Sequence, residues 1–274
     1  MSNIDRSISN TDVIPVFDSE LFTQSPEARE SRFAIGIIAV DNEVAPGREE
    51  EYQAYLKLRA NVYADQTNML DKEEVRPDGT ESDKDDARSY HIGIFEQDAA
   101  GKARAESSIR IIVKDGEHPE NLPIEDFFGI EAPLGTNEAS RLISRHENPR
   151  IQEMNKLYLF AAAIACIRNH NLGNSYATVE PAVEALFNRG GMPNERVAEP
   201  VYVPKYKAEN LGLVIDTEAY AEKLEAIMPG KLDEFTVNEG KMIYYGRMPK
   251  PVTPPAEVIP ISSIPITEQM PVAA

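Results

Sequence analysis

Positive charge is scarce in this chain. Its 28 lysines and arginines face 46 aspartates and glutamates, for a formal net charge of −18. So acidic a surface repels phosphate backbones and disfavours general nucleic-acid binding. Cysteine is nearly absent. The single thiol, Cys166, excludes an intrachain disulfide and CxxC metal chemistry and fits a reducing cytosol, so a cytoplasmic protein is expected. Lying mid-helix among alanines, Cys166 reads as packing rather than as a nucleophile. No apolar run reaches the roughly 18 residues that a membrane span needs. The longest, Leu157 to Ile167, ends at Arg168 and reads as a buried helix. The N-terminus shows no charged-then-apolar signal pattern. His91, His118, His146 and His170 lack metal-ligand spacing, and the acidic run Glu81 to Asp86 lacks the glycine and terminal glutamate of a calcium loop, so no metal is expected.

Proline is plentiful, but at one end. Residues 249–274 repeat it in a way that blocks helix and ladder hydrogen bonds, and an extended or disordered tail is expected. Residues 1–31 are polar and irregular. The core, residues 32–248, holds about 215 residues and suits one generous domain. Along it, a strand at Arg32 to Asp41 precedes a helix from Arg48 to about Ala64. A long charged loop, Asp65 to Asp86, leads to strands Tyr90 to Glu96 and Ala105 to Lys114, paired through a turn at Ala99-Ala100-Gly101. A helical turn at Leu122 to Phe128, a strand around Glu138, and a helix from about Arg150 to His170 follow. Then come a strand at Ser175 to Val179, a helix from Pro181 to Gly190, a strand at Val197 to Val203, a helix at Thr217 to Met228 and a strand at Met242 to Tyr245. This order predicts an α/β fold of the α+β kind, with three layers.

Charge also lies where strands enter a core. Arg59 with Tyr63, Asp83 with Asp86, Arg110 inside Ser107 to Val113, and Glu138-Ala139-Ser140-Arg141 recur in order along the chain. Charges on such strands are paired or used. Together they imply a polar site assembled by folding.

In this order the motifs resemble the GNAT acyltransferase superfamily. Within it they are most similar to the autoinducer (acyl-homoserine-lactone) synthases and the long-chain N-acyl amino acid synthases. The resemblance covers roughly residues 32–204 and rests on Arg59-x3-Tyr63, Asp83-x-x-Asp86, Tyr90, Arg110, Glu138-x-Ser140-Arg141 and the Leu186 to Met192 helix end. It implies a GNAT-like three-layer fold, with a mixed central sheet flanked by helices on both faces. It also implies catalytic roles for Glu138 and Arg141, substrate-binding roles for Arg59, Tyr63, Asp83, Asp86, Arg110 and Ser140, and an acyl-pocket place for Thr178. The implied activity transfers a fatty acyl group from a thioester, on acyl-carrier protein or CoA, to the amine of an amino acid or of S-adenosylmethionine, with no permanently bound cofactor. Autoinducer synthesis and quorum sensing would be its setting.

Three positions depart from the family pattern. Met69 stands where those synthases carry a tryptophan, and the chain has none. Residues 145–150, in the place of a glycine-rich pyrophosphate cradle, contain no glycine. Phe187 stands where a tyrosine general acid is common. The last two weigh against an ordinary acetyl-CoA acetyltransferase. For an acidic carrier protein, Arg145, Arg150, Lys156 and Arg168 are the candidate steering cations.

Amide formation from a thioester needs a neutral amine, a stabilised carbonyl oxygen and aligned reactants. Glu138 is the expected base, and backbone N–H groups at a strand irregularity would meet the oxyanion. Other readings stand beside this, an acetyl-CoA-dependent acetyltransferase with a degenerate cradle among them. Glu138 could instead pair with Arg110 or Arg141. The wider charge set could be an ion-pair network clamping the loop to the sheet, or a GNAT-shaped binding protein could have kept the fold without turnover. Asp85 reads as a solvated neighbour.

Overall fold

Three consecutive glutamates, Glu49 to Glu51, occupy the first turn of α1 (Glu49–Ala60), and Lys57 and Arg59 its last, both complementing the helix dipole. Tyr52, Tyr55 and Leu56 recur at helical spacing and are buried with Ala34, Ile38 and Phe95. The helix runs on through a π-helical turn, Asn61–Gln66, which carries Tyr63. This computed structural model describes residues 32–97 and 103–245. The N-terminal segment 1–31, the turn at Ala99 to Gly101 and the proline-rich tail lie outside the described residues.

A nine-stranded sheet organises the rest, in the order β2-β1-β3-β4-β5-β6-β8-β7, with β9 also paired to β1. The strands are β1 (Arg32–Val40), β2 (Glu43–Val44), β3 (Ser89–Gln97), β4 (Ala103–Lys114) and β5 (Thr136–Ser144). They continue as β6 (Ser175–Val179), β7 (Asn194–Val203), β8 (Ala208–Ile215) and β9 (Ile243–Tyr245). Every pairing is antiparallel except that of β5 with β6, so the sheet is mixed. Period-two alternation sorts β4 between two cores. Ile109, Ile111 and Val113 join the core under α3 (Pro149–Asn169), while Ile112 packs with Leu122 and Ile124 beside α2 (Pro123–Phe128). α4 (Pro181–Arg189), α5 (Thr217–Ile227) and α6 (Lys231–Val237) complete the layer on the α3 side. Helices thus cover both faces, as the motif order predicts.

α3 starts as its sequence dictates: the Asn148 side chain accepts from the Arg150 N–H at 3.0 Å, and Pro149 stands at the first helical position. Its middle, Ala161 to Ile167, is buried throughout.

Three elements are additions to the sequence reading: β2, β8 and α6. β8 is the informative one. Asn210 to Leu213 are all buried, so the strand has no alternating face to betray it. A Cβ on Gly212 would meet Ala198 Cβ at 3.0 Å and Ile124 Cδ1 at 3.1 Å, which is why glycine interrupts its apolar run.

Candidate active site

The sheet opens in its middle. β5 and β6 pair only at Asn137 with Ser175 and Glu138 with Tyr176, and beyond that the two strands part. β5 is also irregular against β4, where Arg141 and Leu142 together oppose Ile109 as a β-bulge. Arg141 sits at φ +52°, an unusual conformation for a side chain of its size. The Arg141 and Leu142 carbonyls accept from the Ser108 hydroxyl (3.0 Å) and the Tyr63 hydroxyl (3.2 Å). Nothing in the sequence marks where this irregularity lies.

Through the opening runs a cavity of about 320 Å³ that crosses the sheet, within the range of about 300–1,000 Å³ that small-molecule sites occupy. On the α1 side it is lined by Tyr63, Met69, Glu138, Ser140, Arg141 and Tyr206. On the α3 side the wall is apolar, made of Ile111, Phe160, Ala163, Ile164, Ala177 and Phe187 among others. Thr178 and Phe187 both line it, and Phe187 packs edge-on against Phe160 at 6.1 Å rather than presenting a hydroxyl.

The charged residues of the recurring motifs converge beside this cleft. Arg59 donates to Asp86 through Nη1 (2.9 Å) and Nη2 (3.2 Å), and its Nε to Glu81. Arg110 donates from Nη1 to Asp83 (2.5 Å) and Asp86 (2.6 Å), and from Nε to Ser140 Oγ (2.9 Å). Arg141 donates from Nη2 to Glu81 (2.9 Å) and Asp83 (3.0 Å), and its guanidinium lies over the Tyr63 ring at 5.2 Å. Three arginines meet three carboxylates. Burial alone would raise the Asp83 and Asp86 carboxyls, but Arg110 and Arg59 outweigh it and hold both well below the usual range. Arg59 and Arg110 are 0% and 1% exposed, so the network clamps the 65–86 loop onto the sheet. In this respect the ion-pair alternative describes the geometry.

Glu138 stands apart from the network. It forms an ion pair with neither Arg110 nor Arg141. Its Oε2 accepts from the Ile124 N–H at 2.8 Å and its Oε1 from the Thr178 hydroxyl at 3.0 Å. It is 1% exposed. Burial pushes its carboxyl up to about 7, and those two donors only partly oppose the shift. A buried carboxylate on a cleft wall, titrating near neutrality, is suited to proton transfer.

Several readings change. Asp85 is not solvated: it is buried and paired with Arg88 at 2.7 Å, because Arg88 also donates to the Glu120 and Asn121 carbonyls and draws the acid in. Glu81, one acid among many in the run, belongs to the network between Arg59 and Arg141. Tyr206 lines the cleft from the turn between β7 and β8. Burial raises its phenol, and the positive charge of Arg141 pulls it back. Neither residue carried a signal, since Glu81 resembles its neighbours and Tyr206 precedes an unrecognised strand. Of the four steering cations, Lys156 is taken by Glu153 (2.5 Å) and Arg168 by Glu218 (3.5 Å). His91 is buried packing against Tyr52 and Tyr55, and burial lowers its pKa to about 4.

No protein-family model matches the chain, and no curated protein matches it. Solved structures share its fold. A CoA-dependent acyl-homoserine lactone synthase, BjaI, solved with MTA, aligns at a TM-score of 0.56 and 17% identity, over 75% of this chain and 99% of that one. MesI, another CoA-dependent acyl-homoserine lactone synthase, aligns at 0.51 and 12%, over 70% and 93%. The acyl-homoserine lactone synthase LasI aligns at 0.50 and 19%, over 73% and 95%. The chain therefore shares the fold of those synthases, over nearly their full length.

Proposed function

We propose that this chain is an N-acyltransferase that moves a fatty acyl group from an acyl thioester to the amine of a small acceptor, as autoinducer synthases do. The observation that carries the reading is Glu138: a buried carboxyl without an ion partner, titrating near 7, on the wall of a cavity that passes through the parted sheet.

In this reading the acyl chain occupies the apolar arm between α3 and the sheet, and the amine approaches from the Tyr63 and Ser140 side. The amine nitrogen attacks the thioester carbon. Glu138 takes the proton the nitrogen sheds, the C–N bond forms, the C–S bond breaks, and the leaving thiolate takes up a proton. Main-chain N–H groups of the bulge around Arg141 meet the oxyanion, and burial strengthens that interaction. Thr178 and the Ile124 N–H hold the carboxylate in place. The network of Arg59, Asp83, Asp86, Arg110 and Arg141 braces the amine side, with Tyr63 and Ser140 completing the wall. Arg141 acts through the backbone turn it occupies and the acids it holds.

BjaI has been solved with SAM and isopentyl-CoA. That supports acyl-CoA as donor and a SAM-like amine, or an amino acid, as acceptor; acyl-carrier protein is the alternative donor. The apolar arm supports a chain longer than acetyl. Residues 32–248 form the catalytic domain in this proposal, and the protein works in the cytoplasm. Among the described residues no helix is long and apolar enough to cross a membrane.

Mass spectrometry of lipid extracts from cells expressing the wild type and Glu138→Gln tests the reading. Acyl amides present with the wild type and missing with the variant are expected. Identical profiles overturn it.

A further inference from the structure

Away from the cleft lining, at the C-terminal end of α3, three side chains with metal-binding chemistry meet. Cys166 and His170 lie four residues apart, and the His170 N–H donates to the Cys166 carbonyl at 3.1 Å, so helical geometry places both on one face. Glu239 comes from the turn between α6 and β9. One ligand atom from each residue lies within 4.8 Å of the other two. Glu239 Oε1 is 2.5 Å from His170 Nε2, and its Oε2 accepts from the Asn169 amide. The Tyr90 ring packs on the imidazole with centroids 4.5 Å apart, fixing its plane.

A second observation concerns space. A separate void of about 20 Å³ lies beside Cys166 and Glu239, with Asn169, Lys241 and apolar side chains such as Ala162 and Phe235 also lining it. About 10–15 Å³ on this measure suffices for one water-sized occupant. A thiol that gives up its proton to the ion, an imidazole and a carboxylate are ligand classes that zinc takes.

We propose that Cys166, His170 and Glu239 bind a single thiophilic divalent cation of the zinc class, with water as its fourth ligand. Tetrahedral zinc, with bonds of about 2.0–2.3 Å, sets its ligands roughly 3.5 Å apart, so the cluster closes by side-chain rotation. The ion ties the end of α3 to the turn that delivers β9 to the edge of β1. The histidine spacing alone gave no hint of it, because one ligand is the sulfur four residues upstream and the other is far away in sequence. The site is independent of the acyltransferase reading.

The test uses the full chain, stripped with a chelator and titrated with Co²⁺. The protein has one cysteine, so an intense sulfur-to-cobalt charge-transfer band can report only Cys166. The band is expected to saturate at one equivalent, to be displaced by Zn²⁺ and to vanish in Cys166→Ser. In His170→Gln and Glu239→Gln, whose side chains are partly exposed and whose folds are expected to persist, Co²⁺ affinity should fall at least about tenfold. Binding without that band means surface carboxylates alone hold the metal and overturns the site. Unchanged affinity in both of the latter variants does so too.

Discussion

Glu138→Gln should make the protein less active and more stable, and the stability gain should depend on pH. Burial moves the Glu138 carboxyl from its ordinary 4.5 to about 7. At about 1.36 kcal/mol per pKa unit, an ionised Glu138 costs the folded state about 3 kcal/mol. The folded protein holds this proton more tightly than the unfolded chain does. The favourable contribution is therefore complete below the unfolded value of 4.5 and is lost as pH rises through about 7. Glutamine keeps the shape and never ionises. Its carbonyl accepts from the Ile124 N–H, and the Thr178 hydroxyl can turn to accept from the amide. Urea unfolding across a pH series measures the difference. The variant should match the wild type near pH 4.5 and exceed it by about 3 kcal/mol above about pH 8, with an unchanged m-value. Wild-type kcat/KM should rise about tenfold per pH unit below about 7 and then level off, since the base acts deprotonated. A stability gap of the same size at low and high pH would refute the buried, unpaired carboxyl and the base role built on it.

Asp86→Asn strips the charge that bridges Arg59 and Arg110, and should cost about 3–5 kcal/mol in urea unfolding because two buried guanidiniums each lose one of their two acids; a cost below about 1 kcal/mol would contradict the network's bracing role. Asp83 and Asp86 titrate below their ordinary 3.8, so their stabilisation is present above that value and is lost as pH falls through the depressed one; acid unfolding of the wild type should be steeper than that of Asp86→Asn. Ala163→Leu narrows the apolar arm and should shift the acyl amides in the lipid extract to shorter chains; an unaltered chain-length profile would place the acyl group elsewhere. Gly36→Ala would put a Cβ 2.8 Å from the Lys241 carbonyl oxygen and from Met242 Sδ, and should lower thermal stability by about 1–3 kcal/mol; an unchanged Tm would mean the β1–β9 edge yields freely.

Much of the molecule was legible from local rules. α1, α3 and α4 announced themselves through acids, proline and glycine at their ends, and the β3–β4 pair through alternation around Arg110. The order of the charged motifs pointed to the three-layer fold, and the guanidiniums do meet the acids at one place. What escaped follows from burial. β8 is buried from Asn210 to Leu213 and loses its period. In the run Glu81 to Asp86, four acids look alike in sequence, yet Glu81, Asp83 and Asp86 serve one network while Asp85 turns to Arg88. That division depends on which arginine each acid can reach, a property of the assembled sheet. That Glu138 forms no ion pair is of the same kind.

The cavity's passage from one side of the sheet to the other separates two tasks. The groups assigned to the chemistry hang from the layer with α1 and α2, and the greasy wall hangs from the layer with α3 and α4. Under the proposed function, replacements behind the sheet should retune tail length while leaving the reacting centre untouched, and replacements in front should change the nucleophile while leaving the tail alone. Selection, or an engineer, can therefore turn two independent dials on one scaffold.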